Sequence, residues 1–278
     1  MCFPAIGFSQ NRMHISLFGG FSNYQGDLQE KRLTADQSNG AIGVGIKYDI
    51  TSHFSVRTGI MYGNLEANDK KNFNSFLKAR NLNFQTRLFE FNALAEYTLF
   101  DLNDKRISPY AFAGIALFRF NPYAFDSLGY KVYLKPLSTE GQGLSQYPNR
   151  KEYKLTQISI PFGGGVKFRV TDNAVLGFEV GLRKLFTDHL DDVSSSYVDP
   201  AILAVERGDK AVELSYRGGE LKDGNPDYPV EGTIRGGARF KDWYYFSGLT
   251  LSIGINTGKG IFGSGIKKGS TGCPAVVL

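Results

Sequence analysis

The sequence predicts an all-β chain: an eight-stranded antiparallel transmembrane β-barrel with long extracellular loops, short periplasmic turns and a periplasmic C-terminal tail. Three observations predict it. Eight stretches of the 278 residues alternate apolar residues with polar residues or Gly, and the connections between them are long and short in turn. The composition adds 22 Phe, 15 Tyr and 33 Gly against a single Trp, which suits strands in close contact. A soluble sheet hides its apolar face in a core, whereas a membrane barrel turns that face to lipid and the polar face to its lumen.

The strands are expected at residues 12–24, 39–49, 54–66, 84–99, 108–120, 155–170, 174–186 and 243–255. In the second, Ile42, Val44, Ile46 and Tyr48 take the lipid face, with Gly43, Gly45, Lys47 and Asp49 inside. The fourth alternates most strictly. Phe89, Phe91, Ala93, Ala95, Tyr97 and Leu99 face one way, and Leu88, Glu90, Asn92, Leu94, Glu96 and Thr98 the other. The fifth is apolar on both faces and its pattern does not orient it. The sixth sends Ile158, Ile160, Phe162, Val166 and Phe168 out and Gln157, Ser159, Gly163, Gly165, Lys167 and Arg169 in. Gly163-Gly-Gly165 marks a close backbone approach or a bulge. The seventh sets Leu176, Phe178, Val180 and Leu182 against Gly177, Glu179, Gly181 and Arg183. The last sets Tyr245, Leu249, Leu251 and Ile253 against Gly248, Thr250, Ser252 and Gly254.

Connections at 50–53, 100–107 and 171–173 are short, and those at 25–38, 67–83, 121–154 and 187–242 are long. That alternation suits an even-stranded barrel with both termini in the periplasm. Residues 1–10 read as the remnant of a signal peptide, 11–255 as the barrel and 256–278 as a flexible periplasmic tail.

No run of 18 apolar residues exists, so a membrane-spanning helix is excluded. The net charge of +5 is not gathered into a basic stripe, so no nucleic-acid partner is assigned; the expected surroundings are outer-membrane lipid. Residues 188–242 hold twelve acids and seven bases, which leaves +10 for the rest of the chain: either two differently exposed ends or simply one acidic loop.

An eight-stranded barrel has a lumen just wide enough for side chains. Arg57, Glu90, Glu96, Glu179 and Arg183 are expected to fill it as a connected salt-bridge network, because unpaired charge in a dry lumen is costly. Solvation of each by water is the alternative. In the last long loop, Asp188, Asp191, Asp192 and Asp199 are expected to anchor the loop. The same acids offer a Ca²⁺ site as an alternative, and His189 with Asp191 and Ser194 offers a hydrolase reading. Asp199 caps a predicted helix that opens at Pro200 and ends before Gly208, and a second helix is expected over residues 210–216. His14 and His53 have no zinc spacing, no phosphate-binding Gly loop is present, and no cofactor is expected. The tail carries Lys267, Lys268, Gly272, Cys273, Pro274 and Leu278, an apolar end suited to docking on a partner, with a disulfide through Cys273 open to it.

Several segments carry a resemblance. They are Ser22-Asn-Tyr-Gln-Gly-Asp-Leu28, Pro109-Tyr-Ala-Phe-Ala-Gly114, Thr187-Asp188 with Leu190-Asp-Asp-Val-Ser194 and Tyr197-Val-Asp199, Asp242-Trp-Tyr-Tyr-Phe-Ser-Gly-Leu249 and Gly272-Cys-Pro274. With them the chain resembles the PorG-type outer-membrane barrels of the type IX secretion system in Bacteroidetes, and the wider family of small barrels of that phylum. The resemblance implies a non-enzymatic component of a secretion or gliding machine. It would tether a periplasmic ring, built from a lipoprotein and its partner of the PorK and PorN type, to the outer membrane through its turns and tail. A small porin-like or ligand-binding surface barrel without a machine partner is the alternative.

Overall fold

In the computed structural model, which describes residues 12–29, 36–237, 239 and 241–255, eight long strands close on themselves. They are β1 (Met13–Gln25), β2 (Asn39–Asp49), β3 (Phe54–Asn68), β4 (Asn83–Thr98), β5 (Ile107–Arg119), β8 (Thr156–Thr171), β9 (Ala174–Leu185) and β10 (Trp243–Ile255). Each pairs antiparallel with two neighbours, and β1 against β10 completes the ring, with Met13 opposite Ile255. No edge is left open in the ring, which is what a bilayer demands of backbone polar groups. The remaining strands, β6 (Tyr123–Phe125) and β7 (Lys131–Tyr133), form a hairpin that joins the wall through Tyr123 opposite Gln85.

The ends of the strands fall within two residues of the sequence expectation, because period-two alternation survives up to each turn. Both ends of the described barrel, Arg12 and Ile255, lie at the end of the short connections, here called the turn end; the long connections gather at the loop end. The expected signal remnant and the tail with Lys267, Lys268, Gly272, Cys273, Pro274 and Leu278 lie outside the described residues.

The wall is exposed and apolar in the alternation the sequence sets. Ile42, Val44 and Ile46, Phe89 and Phe91, Ile158 and Ile160, and Leu176 and Phe178 all stand on the outer surface. A water-exposed belt of this kind is a large apolar patch encircling the molecule, and hydrocarbon is the solvent that fits it. The molecule is an outer-membrane-type β-barrel. Strand β5, which the sequence left unoriented, turns Tyr110, Phe112, Ala116 and Phe118 inward and Ile115 and Leu117 outward. Tyr245 departs from expectation: it sits at an outward register position yet is 7% exposed, so it belongs to the covered loop end rather than the lipid face.

A proline and a glycine pair shape the lumen wall. The β5–β8 ladder skips from Ala113–Phe162 to Ala116–Ser159, and Pro161, which has no N–H to donate, lies in the gap. Gly163 pairs with Gly181, and a Cβ on Gly181 would come within 2.8 Å of the Phe112 ring and 2.5 Å of the Arg183 guanidinium. The glycine run therefore serves close packing; the bulge in β8 falls later, between Arg169 and Thr171.

Candidate functional site in the lumen and the cap

Every lumen residue named from the sequence faces inward, and their direct contacts form two groups where the sequence reading expected one connected network. Nearer the turn end, Arg57 of β3 donates to both carboxylate oxygens of Glu179 on β9, at 2.8 and 3.2 Å. Tyr110 donates to the same carboxylate at 2.7 Å, and the Arg57 guanidinium lies 4.5 Å from the centre of the Phe112 ring. Glu96 on β4 stands 3.8 Å from Arg57 and accepts a hydrogen bond from Lys167 of β8, which also donates to Thr98 at 3.2 Å.

In the second group Arg183 donates to Glu90 through Nε and Nη2 at 3.0 and 3.1 Å, and folds back to give Nη1 to the Gly181 carbonyl at 2.6 Å. Asn92 and Tyr244 complete the shell of Glu90, at 2.8 and 2.7 Å. A fork-to-fork pairing of this kind satisfies a carboxylate that is 0% exposed. Between the groups, a cavity of about 40 Å³ beside Arg57, Glu179 and Arg183 has the size of little more than one water. Side chains fill the barrel.

The sequence reading missed Lys167, Tyr110 and Tyr244 as members of these groups. Lys167 was legible, since it already stood on the inward face of its strand; Tyr110 was hidden by the two-faced apolarity of β5.

At the turn end the lumen widens into a polar vestibule of about 380 Å³, lined by His14, Lys47, Asp49, Ser55 and Lys167. Asp49 gathers His14 at 2.7 Å, Ser55 at 2.7 Å and Lys47 at 3.1 Å.

The loop end is closed by a folded cap. Short helices α1 (Ser75–Arg80), α2 (Pro200–Arg207) and α3 (Asp209–Ser215) are built into it, and the Asp199 carboxylate caps α2 by accepting from Ala201 N at 2.7 Å and Ile202 N at 3.4 Å. Two buried arginines tie the four long connections together. Arg80 donates to both oxygens of Asp69 at 2.8 Å, to the Asp27 carbonyl at 3.0 Å and to the Arg235 carbonyl. Arg235 in turn donates to Glu140 at 2.9 Å, to the Asp192 carbonyl at 2.8 Å and to the Ser215 carbonyl at 3.0 Å. Against the upward push of burial, Arg235 and the amide of Ser194 hold the Glu140 carboxyl below its ordinary value. No sequence signal pointed to Arg80, Glu140 or Arg235, which are far apart in the chain and lie in the long connections.

The aspartates of the last loop are placed among hydrogen-bond donors. Asp191 accepts from Tyr24 at 2.5 Å and from Val193 N at 2.9 Å; Asp192 accepts from Thr139 at 2.5 Å and Tyr153 at 2.6 Å; Asp188 accepts from Ser194 at 2.9 Å. Asp242 joins them, accepting from Leu190 N at 2.8 Å and Tyr24 at 3.3 Å. Burial raises all four carboxyls, Asp188 to about 7 and Asp192 to about 6, and repulsion from neighbouring acids adds to it, from Asp27 on Asp191 and from Asp191 and Asp188 on Asp242.

His189, Asp191 and Ser194 do not converge. The His189 ring stacks on Tyr153 at 4.9 Å, Ser194 is bonded to Asp188 and Asp191 to Tyr24. Among the described residues no three His, Cys, Asp or Glu side chains come together as metal ligands, and no helix is long and apolar enough to cross a membrane.

Residues 2–208 match a family model described as "Domain of unknown function (DUF6089)". No curated protein matches the chain significantly. Among solved structures, the chain is similar to Neisserial surface protein A, with 11% identity over 87% of this chain and 97% of that one, at a TM-score of 0.43. It is similar as well to Ail, the attachment invasion locus protein of Yersinia pestis, with 9% identity over 87% and 96% of the two chains and a TM-score of 0.40. The outer membrane protein OprG from Pseudomonas aeruginosa gives 11% identity over 88% and 98%, with a TM-score of 0.40.

Proposed function

The chain belongs to the DUF6089 family, a domain family of unknown function, and from that premise we propose that it is a non-enzymatic anchor in the bacterial outer membrane, serving a protein secretion or gliding machine of the type IX kind. The observation that carries the proposal is the filled lumen. Arg57 bonded to Glu179 and Arg183 bonded to Glu90 cross the lumen, which supports a role carried by the two ends and the lipid-facing wall over a porin-like passage.

The turn end is the periplasmic one in this reading. Both ends of the barrel's chain lie there, so the segment after Ile255 starts on the side where a periplasmic ring would sit. The segments that resemble PorG-type barrels, above all Gly272-Cys-Pro274, support a ring lipoprotein and its partner of the PorK and PorN type as the bound assembly. Asp188, Asp191, Asp192 and Asp199 have the supporting role of holding the cap in shape.

Pull-down from the outer membrane tests the anchor. Deleting residues 272–278 and replacing the turn at 50–53 should release the periplasmic partner while the barrel keeps the heat-modifiable gel mobility of a folded barrel. Retention of the partner by the altered chain would overturn docking through the turns and tail, and failure of the intact chain to capture any periplasmic partner would favour a ligand-binding surface barrel.

A further inference from the structure

We propose that the outer wall at the loop end holds a binding site for a phosphorylated acyl glycolipid of the surrounding leaflet, made by Arg87, Arg119, Lys154 and Lys184 around an apolar groove. The inference rests on the membrane-spanning reading and is independent of the anchoring role.

The four cations come from neighbouring strands. Arg87 is near the loop end of β4, Arg119 is the last residue of β5, Lys154 lies two residues before β8, and Lys184 is the penultimate residue of β9. All four are exposed, and those within strands stand at outward positions of the alternation. None of them has an acidic partner among the described residues. The other half of the wall differs: at the same end β10, β1 and β3 present Trp243, Phe21, Tyr62 and Asn64, and no cation lies in these strand ends. Beyond the strand ends, Lys70 and Lys71 follow β3, and Lys241 precedes β10 by two residues. A girdle that merely marked the water boundary would run evenly around the barrel; within the described strands the outward cations of the loop end, Arg87, Arg119 and Lys184, all lie on one side.

Between Arg119 and Lys154 on the loop side and Lys184 on the deeper side runs an open groove of about 440 Å³, with Leu117, Ile158 and Phe186 as its apolar floor and Lys154 and Thr156 at its rim. Those three apolar residues are 50–59% exposed and continue the lipid-facing belt. An acyl chain lying in the groove places its headgroup beside Lys154 and beside Arg119, which is paired with Thr156. Lys184 is two residues deeper than Phe186 on the same face, so its ammonium reaches the headgroup level only by extending along the wall, as long cationic side chains do at membrane boundaries. From β4 to β9 is three strand spacings, about 14 Å. That width exceeds one phosphodiester and suits a headgroup with phosphates on both sides of a sugar unit.

The test uses the full chain in a neutral detergent, with diphosphorylated hexa-acyl lipid A, the same lipid stripped of phosphate, and dioleoylphosphatidylglycerol as separate probes, read by retention in native mass spectrometry. Diphosphorylated lipid A should be retained at least tenfold more than either of the others. Each of R119Q and K154Q should weaken it by about fivefold, as expected for one cation near an anionic headgroup. K105Q and R106Q, at the turn end, should leave it unchanged. These single changes are on exposed side chains, and heat-modifiable mobility verifies the fold of each. Equal retention of the stripped lipid or of phosphatidylglycerol overturns the proposal, as does unchanged binding by R119Q and K154Q. A chain that stays a folded monomer without detergent overturns the membrane reading instead, so the two failures are told apart.

Discussion

Inside the barrel each of two carboxylates, Glu90 and Glu179, receives two hydrogen bonds from one guanidinium, whereas across the cap Asp27, Asp188, Asp191 and Asp242 are held by hydroxyl and amide donors. Both regions bury charge, and the difference follows from how each is built. Strands in fixed register can set an arginine on one wall opposite a glutamate on another, so charge is cancelled by charge. Loops set arginines against two of their buried acids, Arg80 on Asp69 and Arg235 on Glu140; for Asp27, Asp188, Asp191 and Asp242 they supply backbone amides and short hydroxyls, which steady a carboxyl without cancelling its charge. The lumen is thus a plug of paired charges, and the cap is a shell in which the acids without a cation, Asp27, Asp188, Asp191 and Asp242, keep their protons more readily than free carboxyls do.

The largest effect should come from the lumen. R183M leaves Glu90 buried without its cation, which should cost about 3–5 kcal/mol of barrel stability in urea titrations in detergent. The double variant R183M/E90Q should recover most of that loss. A cost below about 1 kcal/mol would mean that Glu90 behaves as a solvated surface charge, and would break the contrast with the cap.

In the cap, R235M should act locally. Removing the donor from Glu140 should weaken protection of the Ser194 and Ser195 amides by about 3 kcal/mol in hydrogen exchange, with the unfolding midpoint of the barrel unmoved. Loss of barrel stability as well would show the two regions to be one cooperative unit.

The smallest effect is on pH. Asp188, at about 7, and Asp192, at about 6, both lie above their unfolded values. The folded cap therefore binds protons that the open cap releases, and the stability this gives is fully present below about pH 4 and is lost as pH rises through 6 to 7. Proteolysis of the loops should quicken at least tenfold between pH 4 and pH 7, beyond the protease's own pH profile, a lower bound of about 1.4 kcal/mol of lost cap stability. D188N, which cannot ionise, should flatten the response; an unchanged profile would remove Asp188 from the account.

Much of the wall was legible before the structure. Glu90, Glu96 and Glu179 were placed inside by parity alone, as was Lys167, although its role as the partner of Glu96 was not seen. The helix after Asp199 was equally plain, because a capping side chain, a proline in the first turn and a glycine past the end act over a few residues. Tyr245 shows the limit: its parity is outward, yet it is buried, and period-two alternation carries no signal for that.

By itself the sequence determined the eight strands, their turns, the face that meets lipid and the local helix cap, since each depends on a period of two or on neighbours a few residues away. Only the tertiary structure decided which inward charges touch, how β5 is turned, and that Arg80 and Arg235 lock the cap. Glu90 and Arg183 are 93 residues apart, and Glu140 and Arg235 are 95 apart. Contacts at such separations are set by closure of the barrel and the folding of its loops, and no local pattern of residues encodes them.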